Sequence, residues 1–331
     1  MSDAPYMNGL HLCFIKNATK LTKKLHKLSP FTKNFCYYTT HIQRKTLSLQ
    51  HESDKMARNG TGHDGWDVSG KASRSPQRQH GHALLVAGQT GIAGCALLAA
   101  ESCMRSGVGK LTVFTPEENR LILQLGLPEA IVDTRFATPT DCFQAIGAGP
   151  GMGTDHTAME RLQNLLQTHR PMVLDADALS LIAKAGFFTA SGHIFTPHAR
   201  EMERLASGMK LEGSSLTEKA VHLATSCHSH VILKGHPSLV CCPDGTIYSC
   251  PRGNAGMATA GSGDALTGIL TGLWAQGYTA HETALLGTWL HATAGDFAAQ
   301  HLGQESMLAS DITRHLSMAF AEIRKLKQNT E

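Results

Sequence analysis

"NAGMATAGSGDALTGILTGLWAQG", residues 254–277, decides how this chain is read. It places Gly256, Gly261, Gly263 and a single carboxylate, Asp264, directly ahead of an apolar helix. A loop that only turns needs one glycine; several, with an acid at a helix start, suggest a loop that touches a ligand. Backbone N–H groups at a helix N-terminus bind anions, and the helix dipole adds to the attraction. Glycines let that backbone approach a phosphate without a Cβ in the way. The acid repels phosphate, so its presence needs a reason. The simplest is a general base that takes the proton of an attacking hydroxyl. "GSGD" alone also suits close helix packing with aspartate as an N-cap, and both explanations stand at this point. It is neither a Walker A motif nor G-x-G-x-x-G after a first strand.

Upstream, strand patterns alternate with helix patterns. "HALLVAG" reads as a buried strand, "GCALLAAESCMRSG" as a helix ending at Gly107, and "KLTVFTP" as a strand. "FQAIGAGPGMG" is a strand entering a glycine loop, and "TAMERLQNLLQTH" is an amphipathic helix capped by Thr154 or Asp155. "PMVLDADALSLIA" and "HIFTPHAREMERLA" each read as strand, polar corner and helix. "SHVILKGHPSLVCCPDGTIYSC" reads as strand, loop and a hairpin turned at Asp244-Gly245. Such alternation predicts an α/β fold, a mostly parallel sheet with helices on both faces. Ligands bind such sheets beyond the carboxyl ends of the strands. Gly88–Gly94, Gly149–Gly153, Asp175, Asp177, His198 and Lys234 should therefore face one crevice. Asp175 and Asp177 either both point into it, as alternate residues of an extended segment, or cap a helix. His198 is a loop histidine or a ligand contact, and Lys234 a solvated lysine or a phosphate contact. His236 and the Cys241-Cys242 pair suit packing or loop roles. Trp274, Leu270 and Leu273 form a core stripe or a subunit contact.

Bulk composition sets the frame. The chain has 331 residues, 42% hydrophobic and 17% charged, which supports a sizeable core. The net charge of +3 conceals a split: residues 1–80 hold 13 Lys/Arg against 5 Asp/Glu, whereas the remainder holds 17 against 22. Residues 1–75 are basic and lack period, and read as a disordered extension, linker or targeting segment; residues 76–331 form the folded domain. The basic excess lies in that tail without interleaved aromatics, which argues against nucleic-acid binding. The most apolar window is broken by Gly88, Gln89, Thr90, Gly91 and Gly94, so no membrane span is expected. Nine cysteines without a C-x-x-C pair suit reduced thiols and a cytoplasmic setting. Despite 19 histidines no ligand spacing for zinc occurs, and no protein metal ligand is expected.

Six ordered motifs resemble the ADP/ATP-dependent NAD(P)H-hydrate dehydratases of the ribokinase-like superfamily. They are "GHALLVAGQTGIAGCALLAAESCMRSGVGKLTVFTP", "GAGPGMG", "VLDADALSLI", "TPHAREMERL", "VILKGHPSLV" and the opening stretch, over about residues 81–325. The resemblance implies a three-layer α/β/α fold. It also implies repair of the S form of NADH or NADPH hydrated at C6: a nucleotide phosphorylates the ring hydroxyl, and phosphate is then expelled. By matching positions, Asp264 would be the general base and touch the substrate. Gly261, Ser262 and Gly263 would form the anion hole. Lys234, Gly235, His236, Pro237 and Ser238, with Gly263, would hold ADP or ATP. Ala96, Gly151 and His198 would contact the hydrated dinucleotide. Magnesium would enter through the phosphates, and the protein would be a homo-oligomer, with a tetramer as one option.

The chain departs from the family pattern at Ala260, where glycine is usual, at Ala199 and Arg200 for Pro-Gly, and in "PQRQHG", which lacks "HKG". The N-terminal segment is too short for the epimerase domain of larger relatives, so that activity is not expected. A ribokinase-like kinase of a vitamin-precursor alcohol would use the same base and anion hole but release a stable phosphoester. A non-catalytic nucleotide-binding paralogue would tolerate the altered residues. A Rossmann dehydrogenase is disfavoured, because "GQTGIAG" lacks the fingerprint spacing.

Overall fold

Parallel sheets are covered on both faces, so their strands read as unbroken apolar runs. "HALLV" behaves this way: β1 (His82–Val86) is closed off from solvent from Ala83 onward. The computed structural model describes residues 80–186 and 191–328. The expected extension over residues 1–75 lies outside them. Of the described residues, 80–186 and 191–319 form one compact unit.

After β1 come α1 (Ala93–Arg105), β2 (Lys110–Phe114), α2 (Arg120–Gly126), β3 (Ile131–Asp133) and β4 (Ala145–Ala148). Then follow α3 (His156–Leu166), β5 (Met172–Leu174), α4 (Ala176–Ala185), β6 (Ile194–Phe195), α5 (Ala199–Met209), α6 (Leu216–Ser226) and β7 (His230–Leu233). The remainder is β8 (Ser238–Cys241), β9 (Ile247–Cys250), α7 (Ser262–Ala275), α8 (Ala280–Leu302) and α9 (Ala309–Gln328). The nine strands form one sheet in the order β3-β2-β1-β4-β5-β6-β7-β8-β9. Pairing is parallel from β3 through β7 and antiparallel for β8 and β9.

Alternate residues of each strand serve the two layers. Leu84, Val86, Ile146, Leu174 and Phe195 join one core with Leu162 and Leu165 of α3, Leu179 of α4, Leu205 of α5 and Leu223 of α6. Gly147 faces the other way, where a Cβ would strike Thr271 of α7 and Leu85. Three layers result, as the sequence predicts. The helix ends also follow local chemistry. Asp155 is the N-cap of α3 and accepts from Ala158 N–H at 2.7 Å. Gly107, at φ +97°, follows the end of α1. The Asp244-Gly245 hairpin joins β8 to β9, with Gly245 at φ +84°. Leu270, Leu273 and Trp274 are core.

Strand order reverses between β1, which leads outward to β2, and β4, which leads the other way. The loops after these two strands therefore part and leave a crevice at the switch point. Gly88 follows β1 and Gly149–Gly153 follows β4, tied by the Gly88 N–H to Pro150 carbonyl bond of 2.8 Å.

Candidate active site

The first turn of α7 carries its own amide donors, and Gly261 gives it its entry. Gly261 is the N-cap at φ +88°, a left-handed conformation that suits glycine. A Cβ at Gly263 would stand 3.1 Å from Lys234 Nζ and 3.4 Å from Asp175 Oδ2. Gly263 thus leaves room for an ammonium over the helix start. Ala260 is not among the residues with positive φ, so its methyl imposes no backbone strain.

Lys234 follows β7 and comes to the crevice through strand order. Its Nζ lies 2.7 Å from Asp175 Oδ1 and 3.5 Å from Glu201 Oε2. Asp175 is 1% exposed and also accepts from Thr267 Oγ at 2.9 Å. Burial opposes the charge on Lys234, but Asp175 and Glu201 outweigh it and hold the ammonium above its ordinary pKa. Burial likewise opposes ionisation of Asp175, and Lys234 with the hydroxyl donors brings its carboxyl below the usual range. Lys234 is therefore no solvated lysine.

Asp264 sits in the first turn of α7 without such a partner bond to Lys234. Burial first, then the charge of Asp175, pushes its carboxyl up to about 7; Lys234 opposes, while Asp177 and Glu201 add to the rise. A carboxylate tuned to neutral pH is suited to proton abstraction.

These groups line a cavity of about 500 Å³. Asp175, His198, Glu201, Lys234, Gly235, His236, Ser238, Gly261, Ser262, Gly263 and Asp264 all face it. His198 has a split role. As N-cap of α5 its Nδ1 accepts from Arg200 and Glu201 N–H, while its Nε2 lies 3.4 Å from Glu201 Oε1. Arg200 is exposed and does not line the cavity. Pro237 follows a cis peptide bond and is not among the lining residues, unlike its neighbours His236 and Ser238.

Of the two readings of Asp175 and Asp177, the helix-end position applies to Asp175, the N-cap residue of α4, and the two do not point the same way because the chain is no longer extended at Ala176. Asp175 turns to Lys234, whereas Asp177 Oδ2 accepts from Gly153 N–H at 3.0 Å and holds the glycine loop after β4. The Ala96 side chain is buried, and a Cβ at Gly88 would stand 3.1 Å from its own. Ala96 supports the loop after β1, and exposed Gln89, Thr90 and Ile92 form its rim. Gly151 also lies outside the cavity, where a Cβ would come within 2.5 Å of Cys95 Sγ. Cys95 in turn is close enough for Asp264 to act on its thiol, whose pKa rises to about 11 through burial first and Asp264 second. The Gly88–Gly151 pair therefore adjoins Asp264 on the side of α1.

Sequence reading passed over Glu201, His291, Asn254 and Asp296. His291 of α8 bonds through Nε2 to the Ser262 carbonyl at 2.9 Å and approaches Ser262 Oγ at 3.3 Å. Burial lowers its pKa to about 4, so it is neutral and donates to that carbonyl. Asp296 accepts from Gly253 N–H and Asn254 Nδ2, each at 3.1 Å, and fixes the loop ahead of α7. A signal was present: His291 and Asp296 are polar interruptions in an apolar helix.

Comparison with known proteins agrees with this geometry. Residues 83–317 match the family model described as NAD(P)H-hydrate dehydratase. The ADP-dependent (S)-NAD(P)H-hydrate dehydratase of Neisseria meningitidis is 35% identical over 254 residues, 73% of this chain and 86% of the relative. The bifunctional NAD(P)H-hydrate repair enzyme of Vibrio cholerae is 37% identical over 246 residues, 72% of this chain but 49% of the relative. The chain spans about half the length of such bifunctional relatives. Among solved structures, the ADP/ATP-dependent NAD(P)H-hydrate dehydratase of Bacillus subtilis, co-crystallized with ATP/Mg2+, superimposes with a TM-score of 0.67 at 27% identity, covering 77% of this chain and 94% of that one. With its fold, its ordered motifs and a family match across most of its length, this chain belongs to the NAD(P)H-hydrate dehydratase family.

Proposed function

We propose that this protein restores NADH and NADPH from their C6-hydrated S forms, using ADP or ATP as phosphoryl donor. One observation carries the reading: Asp264, with its carboxyl near 7, stands at the amide-bearing start of α7 in a cavity of about 500 Å³ beside Lys234. Asp264 takes the proton from the ring hydroxyl, and the freed oxygen attacks the terminal phosphorus of the nucleotide. The amides of Gly261, Ser262 and Gly263 and the Lys234 ammonium stabilise the charge on the transferring group. The ring nitrogen's electron pair then expels phosphate from C6. Loss of a proton from C5 restores the ring double bond.

The site fits magnesium. Asp175 and Glu201 pair with Lys234, and after burial, the first cause, the charges of Asp175, Asp177 and Glu201 add to the rise at Asp264. Asp175 and Glu201 would hold the hydrated dication that accompanies the nucleotide, and it would relieve that excess of negative charge. When bound it neutralises phosphate charge. Lys234, Gly235, His236 and Ser238 line the nucleotide's side, and the loops at Gly88 and Gly151 flank the dinucleotide's side.

The names of the Neisseria and Bacillus relatives support the choice of ADP or ATP. Among the described residues no helix is long and apolar enough to cross a membrane, and seven cysteines are free thiols, which supports a cytoplasmic setting. A homo-oligomer is supported by the exposed Leu121, Ile122 and Leu125 of α2 beside Ile131 of β3. The test mixes purified full-length protein with hydrated NADPH, magnesium and each nucleotide. Recovery of the absorbance of reduced nicotinamide, dependent on nucleotide, is expected; no recovery with either nucleotide contradicts the proposal.

A further inference from the structure

At the other end of β7 from Lys234, three elements bring metal-ligating atoms together. His230 opens β7, Cys242 follows β8, and His281 lies in the first turn of α8. The four residue steps from His230 to Lys234 span about 13 Å of extended chain, so this cluster is separate from the catalytic cavity. His230 Nε2 and His281 Nδ1 are 3.3 Å apart, and Cys242 Sγ is 3.6 Å from His281 Nδ1. All three ligand atoms lie within 4.8 Å of one another. Tetrahedral zinc, with Zn–N of about 2.05 Å and Zn–S of about 2.3 Å, has N···N edges of about 3.3 Å and N···S edges of about 3.6 Å.

We propose that His230, Cys242 and His281 form a binding site for a transition-metal dication of the zinc type, clamping the β8–β9 hairpin to α8. An imidazole–thiolate donor set selects zinc-like ions over magnesium or calcium. The site is distinct from the magnesium of the proposed reaction and does not depend on it. His230 and Cys242 are buried, so the pocket keeps solvent from competing. Burial holds His230 neutral, with a pKa of about 4, which is the ligating form. Cys242 must lose its proton on binding, and burial has pushed that thiol up to about 12. The metal would supply the compensation. Two imidazoles and one thiolate leave the dication one positive charge in excess. Asp244, whose charge reaches His230, Cys242 and His281, would offset it. Ligand spacing hid the site in the sequence, since the three residues come from a strand, a hairpin and a helix 51 positions apart at the extremes.

The experiment strips the full-length chain with a chelator and titrates it with Co2+, then with Zn2+. One equivalent of Co2+ should produce a sulfur-to-cobalt charge-transfer band that Zn2+ displaces. Cys242→Ser and His281→Gln should each abolish the band. Zn2+ at about a hundredfold over its Kd should raise Tm by roughly 5 °C. Absence of the band in the folded wild type, or its survival in both variants, overturns the proposal and leaves a hydrogen-bonded cluster only. Should a variant not fold, the wild type decides: intense d–d bands of tetrahedral Co2+ alongside the sulfur band support the site, and only the weak bands of octahedral Co2+ overturn it.

Discussion

Asp264 and Asp175 are two carboxylates of one cavity pushed in opposite directions. Asp264 is raised to about 7, so its ionised form is disfavoured in the fold and stability is lost as pH rises from the unfolded value toward 7. Asp264→Asn should therefore abolish turnover, by about 100-fold or more in kcat, while raising Tm at pH 8. Paired pH–rate profiles and thermal unfolding check this, and kcat/KM of the wild type should climb along a limb centred near pH 7. Asp175 is lowered, so its contribution is present above the unfolded pKa and lost as acid titrates it. Asp175→Ala leaves the Lys234 ammonium without its 2.7 Å partner. The expected cost is about 3–5 kcal/mol, measured by urea unfolding at pH 7. From sequence, "VLDADAL" offered both aspartates as crevice residues; Asp175 lines the cavity and Asp177 does not, a divergence that depends on where α4 starts.

Helix α7 shows that its glycines do two jobs. Gly261 and Gly263 line the cavity, whereas Gly268 serves packing: a Cβ there would stand 2.1 Å from the Ala99 carbonyl oxygen of α1. Gly268→Ala raises helix propensity by about 1 kcal/mol. It should still destabilise, by about 1–3 kcal/mol, because the backbones must part. Gly94→Ala, in α1 with open space around it, should instead stabilise by about 0.4–1 kcal/mol. Denaturant midpoints of the two variants separate the roles. Within "GSGD" the N-cap is Gly261 and not the aspartate, which sits in the first turn of the helix, and spacing alone could not tell these positions apart. Short β3 and α2 passed unread because three strand residues and seven helical ones carry too little period.

Across the whole molecule, the alternation of strand and helix gave the layered architecture, since unbroken apolar runs such as "HALLV" mark strands covered on both sides. The crevice followed from chain direction: every parallel strand delivers its polar corner to the same edge. What stayed hidden was long-range. Glu201 meets Lys234, and His291 meets the Ser262 carbonyl, only after the sheet is assembled. The Ala260 and Arg200 departures leave the cavity intact, since one backbone is unstrained and the other side chain is exposed. The central claim is that the transferred phosphoryl group is expelled rather than kept. The direct measurement counts products from hydrated NADPH, magnesium and ADP or ATP. One inorganic phosphate should appear for each NADPH restored, and neither with Asp264→Asn. A stable phosphoester accumulating without restored NADPH would contradict the account.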